Sequence, residues 1–315
     1  MLQKVKIAII GVWFGNFPEW IDLFFKSCEY NFNVDFYIFT DNKINNVSKN
    51  VKIINTDIAK LKELIQDKLE LNISFEKPYK NCDYRPAYGI IFSDYLKGYD
   101  YWGHCDFDVI FGDIEKFALE YGINNYDKFL HLGHLSLYRN NEKVNNYYKL
   151  SGSKVGDYKK VFMSDKNYAF DETRGIDAIF EENKLPIFKK RIFAEIKTFH
   201  KRFRLRKRDK NYKHQAFYWE NGKVYRAFTN GKKVKLQEFM YIHFRRKLSV
   251  QMINIDKAES FYITDKGFFE KKIGIPSVDE IEKYNHNPGV IQENLETIGF
   301  CINNIKKIRN YLHYF

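Results

Sequence analysis

Two aspartates separated by one phenylalanine, Asp106-Phe107-Asp108, are the residues best suited to do chemistry in this chain. They follow the aromatic run Tyr99-Asp100-Tyr101-Trp102 and precede Gly112, so both carboxylates leave a strand end instead of alternating through its middle. Two hard oxygen ligands at such a point can share one divalent cation, Mn2+ or Mg2+, which bridges a diphosphate and offsets the charge on a leaving group. A second acidic pair, Asp171-Glu172, could take a proton from a hydroxyl within hydrogen-bonding distance, although acids at a helix start are also favoured by the macrodipole alone. His131 and His134 flank Leu132-Gly133, and His134 is a candidate contact for an acceptor. His243 joins an imidazole, a good ligand for manganese-type ions, to Arg245, Arg246 and Lys247, whose charges suit a diphosphate.

The elements that must position these groups read as an α/β arrangement. Val5 to Gly11 is a nearly continuous apolar run, as expected of a strand buried on both faces. Pro18 then opens a helix with Trp20, Leu23, Phe24, Ser27 and Cys28 on one face. Val34 to Thr40 and Val51 to Ile54 are strands, and Thr56 is placed to cap a helix over Ile58 to Leu69. Pro86 starts a further helix with Ile90, Ile91 and Leu96 inward, stopped by Gly98. Beyond the aspartates come a strand over Phe129 to Tyr138, a helix after Asp171, a hairpin turning at Asn221-Gly222, a strand over Phe239 to Phe244, a hairpin around Asp265-Lys266-Gly267, and a helical end.

At this point the sequence resembles a family. The run Asp83-Tyr84-Arg85-Pro86-Ala87-Tyr88-Gly89, then Gly98 to Asp108, then Gly112-Asp113-Ile114, looks like bacterial GT-A glycosyltransferases of capsular and lipopolysaccharide synthesis. The likeness implies a Rossmann-like, mostly parallel sheet flanked by helices, with a small antiparallel portion and a C-terminal helical tail. It implies a catalytic domain over 1–270, with a nucleotide-binding half (1–115) and an acceptor half (116–270), and an extension over 271–315. It also implies that Asp106 and Asp108 hold the metal, with His243 as third ligand, although the late His-Gly-Lys pattern of such enzymes is absent here. By the same likeness Val12, Trp13, Thr40, Asp41, Arg85 and Phe107 serve the donor, with Lys247 on its diphosphate, while Asp171, ahead of Glu172, faces the acceptor as base. The reaction so implied moves a hexose from a nucleotide-diphosphate sugar, a UDP-sugar above all, to a glycan or lipid-linked glycan acceptor.

Bulk properties narrow the alternatives. A chain of 315 residues with 44% hydrophobic and 18% aromatic content can bury a sizeable core. No signal-peptide pattern opens it, no apolar run is long enough to span a bilayer, and four scattered cysteines suit a reducing compartment, so the expected location is the cytoplasm. The net charge of +12 asks for an anionic partner. Nucleic acid is one, through Lys197 to Lys213, but no nucleic-acid-binding signature accompanies that run. An anionic membrane surface is another, reached by the same strip and by Ile302 to Phe315, which would make the protein peripheral on the inner face of the membrane. A phosphatase of the haloacid dehalogenase type would use Asp106 as nucleophile, but that motif closes the first strand of its domain, and here an αβ half precedes it.

Overall fold

In a computed structural model the described residues are 4–45, 47–196, 203–206, 210–230, 233–245, 251–253 and 258–284. The chain divides into two compact units, Met1–Ile192 and Phe193–Phe315, so the expected catalytic span of 1–270 draws on both. Lys247, Arg246, much of the basic strip and the segment 302–315 lie outside the described residues.

The first unit opens with β1 (Ile7–Trp13), α1 (Ile21–Glu29), β2 (Val34–Thr40), β3 (Val51–Asn55) and α2 (Ile58–Leu69). Four short turns follow: a 3-10 turn at Pro78–Lys80, α3 (Asn81–Tyr84), a second 3-10 turn at Arg85–Ala87, and α4 (Tyr88–Ile91). Next come β4 (Tyr101–Cys105), β5 (Val109–Phe111), α5 (Ile114–Glu120), β6 (Lys128–Leu132), β7 (Leu135–Arg139), α6 (Glu142–Asn145), α7 (Tyr158–Met163), α8 (Ile176–Glu182) and β8 (Ile187–Phe188). The sheet order is β3-β2-β1-β4-β7-β6-β8; only β7 runs antiparallel to its two neighbours. This is the mostly parallel α/β sheet expected from the sequence.

Its strands are apolar on both sides because both sides are covered. Ala8 and Ile10 of β1 and Phe39 of β2 pack with Leu61 and Ile65 of α2 and with Ile91 of α4. On the other face Phe24 of α1 meets Phe107 and Phe111 at ring centroids of 4.8 and 5.7 Å, and Phe36 of β2 meets Phe111 at 5.5 Å. β1 and β4 pair in parallel although α1, β2, β3 and α2 intervene. The chain order thus reverses between β1 and β4, which makes a switch point whose crevice opens at their carboxyl ends.

Three local expectations need correction. Asp57, and not Thr56, caps α2: its carboxylate accepts the Lys60 amide at 2.9 Å, while the Thr56 amide is still bonded to the Thr40 carbonyl. The helix expected from Pro86 is limited to the short turns Arg85–Ala87 and Tyr88–Ile91, because Phe92 leaves the helical region at φ −104°, ψ 22°; Ile91 and Leu96 are nevertheless buried and Ile90 half-buried. The single strand expected over Phe129 to Tyr138 is the hairpin β6–β7, in which Leu132 faces Leu135 across Gly133-His134.

The second unit holds β9 (Ala194–Glu195), β10 (Gln215–Glu220), β11 (Lys223–Asn230), β12 (Lys233–Phe239), β13 (Tyr241–His243), β14 (Gln251–Ile253), β15 (Ser260–Ile263), β16 (Gly267–Glu270) and α9 (Val278–Tyr284). The order β12-β11-β10-β15-β16-β14 forms a largely antiparallel sheet with the two hairpins where the turn signals placed them. Ile281 of α9 joins Ala216, Tyr218, Ala227 and Tyr262 in its core.

One buried ion pair fixes the loops of the first unit. Lys80 donates to Asp83 at 2.9 Å and to the carbonyls of Val161 and Lys166, and the Asp83 carboxylate accepts the amides of Tyr168 and Phe170. Both side chains are almost wholly buried. Removing one partner strands the other charge, so Asp83→Ala should lower stability by about 3–5 kcal/mol, read as a reduced urea midpoint.

Candidate active site

Arg85 leaves the Arg85–Ala87 turn with a buried side chain. Its Nη1 donates to the Gly133 carbonyl at 3.0 Å and to Asp171 Oδ2 at 2.9 Å, and its Nη2 donates to Asp106 Oδ1 at 2.6 Å. One guanidinium therefore joins the end of β4, the β6–β7 turn and the loop before α8. Charge-assisted bonds of this kind are short and directional, which orients both carboxylates. A sequence reading assigns Arg85 to a donor; the structure gives it two acidic partners within the protein.

The β6–β7 turn supplies the second restraint. The Asp106 amide donates to the His134 carbonyl at 3.0 Å, extending the β4–β7 ladder by one step. A Cβ built on Gly133 would lie 2.8 Å from Asp171 Oδ2 and 2.9 Å from Glu172 Oε1, so glycine lets the turn rest on the acidic pair without displacing either carboxylate. His134 is buried in this turn. His131 is half-buried, and burial pushes its imidazole down to about 4.

Asp106 and Asp108 present carboxylate oxygens within 4.8 Å of one another. Oxygen ligands sit about 2.0–2.6 Å from Mg2+, Mn2+ or Ca2+, so the pair fits a single shared cation. Phe107 between them is buried, with its ring 5.3 Å from Trp13 and its carbonyl accepting Trp20 Nε1 at 2.9 Å. Its ring thus anchors the triplet in the core. Gly11 of β1 is the matching concession, because a Cβ there would lie 2.8 Å from Phe107 Cζ.

Four of the residues expected to serve the donor, Val12, Trp13, Thr40 and Asp41, lie at the carboxyl ends of β1 and β2. Val12 pairs with Phe39 and Trp13 with Thr40. The exposed Asp41 carboxylate accepts the Gly15 amide at 3.0 Å, and Asn42 bonds both the Gly15 carbonyl and Thr40 Oγ1. These contacts hold the loop between β1 and α1. His243 belongs to the second unit and is buried there beside Glu195. Glu195, like the Lys80–Asp83 pair, carries no sequence signal: a lone acid in Phe193-Ala194-Glu195-Ile196 reads as an ordinary strand residue.

The two acids before α8 differ. Burial raises Asp171 to about 7 against the pull of Arg85, with Glu172 and Asp106 adding to the rise. Glu172 is half-exposed; burial raises it too, followed by the charge of Asp106, while the Gly133 amide opposes the shift. Arg85 is itself raised: burial opposes its charge, but Cys82, Asp106 and Asp171 more than offset that.

These elements define a doubly wound α/β protein with a carboxylate–arginine centre at the switch point of its sheet. The family model described as "Family of unknown function (DUF6625)" matches residues 9–272, and the chain belongs to that family. Among curated proteins none matches the sequence. The structure is similar to galactosyltransferase LgtC in complex with donor and acceptor sugar analogs, at 10% identity and a TM-score of 0.35 over 60% of this chain and 75% of that one. It is similar also to mouse xyloside xylosyltransferase 1, at 7% identity and a TM-score of 0.34 over 62% of this chain and 88% of that one. A third similar structure is the glycosyltransferase GlyE of Streptococcus pneumoniae TIGR4, at 7% identity and a TM-score of 0.32 over 59% of this chain and 46% of that one.

An acid raised on folding binds more protons folded than unfolded between its two pKa values. Its share of stability is therefore fullest at the acid end and declines as pH rises from about 4 to about 7. Asp171→Asn should remove that decline, on the order of 3–4 kcal/mol, from the difference between variant and wild-type urea curves across this range.

Proposed function

We propose that this protein is a glycosyltransferase that moves a sugar, a hexose by the sequence resemblance, from a nucleotide-diphosphate donor to a glycan hydroxyl. The observation that carries the reading is Arg85 bonded at once to Asp106 and Asp171 beside the switch-point crevice. It ties a carboxylate pair fit for a metal–diphosphate to a carboxylate pair fit for proton transfer. A divalent cation held by Asp106 and Asp108 would supply Lewis-acid stabilisation of the departing diphosphate. The third-ligand role of His243 and the diphosphate role of Lys247 extend this reading from the sequence resemblance.

The chain's own residues then have separable tasks. Trp13, Thr40 and Asp41 border the loop after β1, where a nucleoside would lie. Arg85 acts through others as a positioning residue, keeping Asp106 turned toward its partner. In an inverting transfer the acceptor oxygen attacks the anomeric carbon, the bond from that carbon to the diphosphate oxygen breaks, and the hydroxyl proton passes to a carboxylate. Glu172, the half-exposed member of the acidic pair, is the better placed receiver, and buried Asp171 holds Arg85 in register. His134, beside Gly133 in the same turn, keeps its assignment to the acceptor side. A UDP donor, a surface-polysaccharide acceptor and an anionic membrane as docking surface extend this reading. Among the described residues no helix is long and apolar enough to cross a membrane.

Titration calorimetry with UDP, GDP, CMP and ADP, with and without manganese, tests the reading. One diphosphate should bind in a manganese-dependent way and lose that binding in Asp106→Ala/Asp108→Ala; a folded protein that binds none of the four is not a nucleotide-sugar transferase. Once a donor is found, Glu172→Gln should keep nucleotide binding and lower kcat roughly a hundredfold or more.

A further inference from the structure

Tyr84, Tyr88 and Tyr138 around the carboxylate–arginine centre are at most 2% exposed, whereas Tyr79 keeps 71% of its surface in solvent. An exposed tyrosine is ordinary on a protein surface. This one stands on a backbone that is held from both sides. Lys80, the next residue, is the buried cation that donates to Asp83 and to the carbonyls of Val161 and Lys166. Asn81 is buried too, and its Oδ1 accepts the Tyr88 hydroxyl at 2.8 Å. Pro78, on the other side, has its φ fixed by its own ring. The turn is anchored while the aromatic ring it carries faces water.

That ring lies beside the acidic centre. The turns Pro78–Lys80, α3 and Arg85–Ala87 are consecutive, and Lys80, Asn81, Tyr84 and Arg85 at their junctions all keep right-handed helical backbone. Tyr79, Cys82 and Arg85 therefore succeed one another at i, i+3 spacing, each next to the following one on the surface of the turns. The interval from Tyr79 to Arg85 is about 9–12 Å along the axis. Arg85 is bonded to both Asp106 and Asp171. The Tyr79 hydroxyl feels the same groups: Cys82 raises it most, then burial, then the charges of Asp171 and Asp106, with Arg85 opposing. Asp171 acts on it more strongly than Asp106, which puts Tyr79 on the side of the Asp171-Glu172 pair.

We propose that Tyr79 is the platform on which a sugar ring of the acceptor stacks, beside the acidic pair. A pyranose carries C–H bonds on its faces and hydroxyls around its rim. The C–H face meets the negative π-face of the tyrosine, which leaves a rim hydroxyl free for Glu172. Tyrosine suits the task because it offers a large flat contact with only two side-chain torsions to fix. Calling the sugar an acceptor rests on the transferase reading above; the platform itself does not.

The test is saturation-transfer NMR of the full chain with methyl β-glucoside, methyl β-galactoside and methyl N-acetyl-β-glucosaminide, each alone and without nucleotide. Wild type should transfer saturation to at least one of them, strongest at the C–H protons of one ring face. Tyr79→Ala should weaken that affinity about three- to tenfold, and Tyr79→Phe should keep it. Phe32→Ala removes another exposed aromatic, between α1 and β2, and should leave the signal as it is. Tyr79 is largely in solvent, so its variants should fold. No transfer to any of the three by folded wild type, an undiminished signal in Tyr79→Ala, an equal loss in Tyr79→Phe, or an equal loss in Phe32→Ala would each overturn the proposal. Glycoside contact that depends on Tyr79, in a protein that binds none of the four nucleotides, would retain the platform and remove the transferase reading. Manganese-dependent nucleotide binding with a glycoside signal indifferent to Tyr79 would do the reverse.

Discussion

A guanidinium buried between two carboxylates is the constraint around which the first unit is arranged. Taking Arg85 and Asp171 out of water costs several kcal/mol per charge, and the cost is met only if their partners, the partly exposed Asp106 among them, are in place. Three chain segments that are remote in sequence must therefore arrive together: the turn at Arg85–Ala87, the end of β4 and the loop before α8. The Lys80–Asp83 pair secures the first and third by gripping the backbone of 161–170. The sheet secures the second, through β1 on one side and β7 on the other.

Small residues make that convergence possible. Gly133 allows a two-residue turn to lie directly on the acidic pair, and Gly11 allows the Phe107 ring to lie on β1. Neither position needs glycine for turn conformation. Each needs it for room, and in each case the space is taken by a residue of the carboxylate centre. In the second unit one buried acid, Glu195, has three basic groups within 3.9 Å.

What the sequence made legible follows from local physics. Strand β2 stands at Val34–Thr40 as expected, because an apolar run buried on both faces has few alternatives, and Asn221-Gly222 turns the β10–β11 hairpin as expected. The carboxylate triplet stands out as a candidate because chemistry and spacing coincide within three residues. Partners 86 positions apart, as Arg85 and Asp171 are, leave no local trace, and a solvated arginine and a buried one look alike in a sequence. The same holds for Lys80, which composition would put in water. Strand β12 escaped notice because its exposed lysines hide the pattern of an edge strand. The helix expected from Pro86 had the right apolar spacing, with Ile91 and Leu96 buried, but it ends early because Phe92 leaves the helical region at φ −104°, ψ 22°.

Phe107 carries a consequence for how the triplet would evolve. Its ring is wedged among Trp13, Phe24 and Gly11, so the two flanking acids inherit their separation from hydrophobic packing and not from each other. Repacking that layer, even at Phe24 on α1, would shift the bite of the pair without touching either acid. On the proposed metal-binding reading, selection on ion preference would act through greasy residues that never meet the ion, and drift in the core would be felt first as a change of affinity.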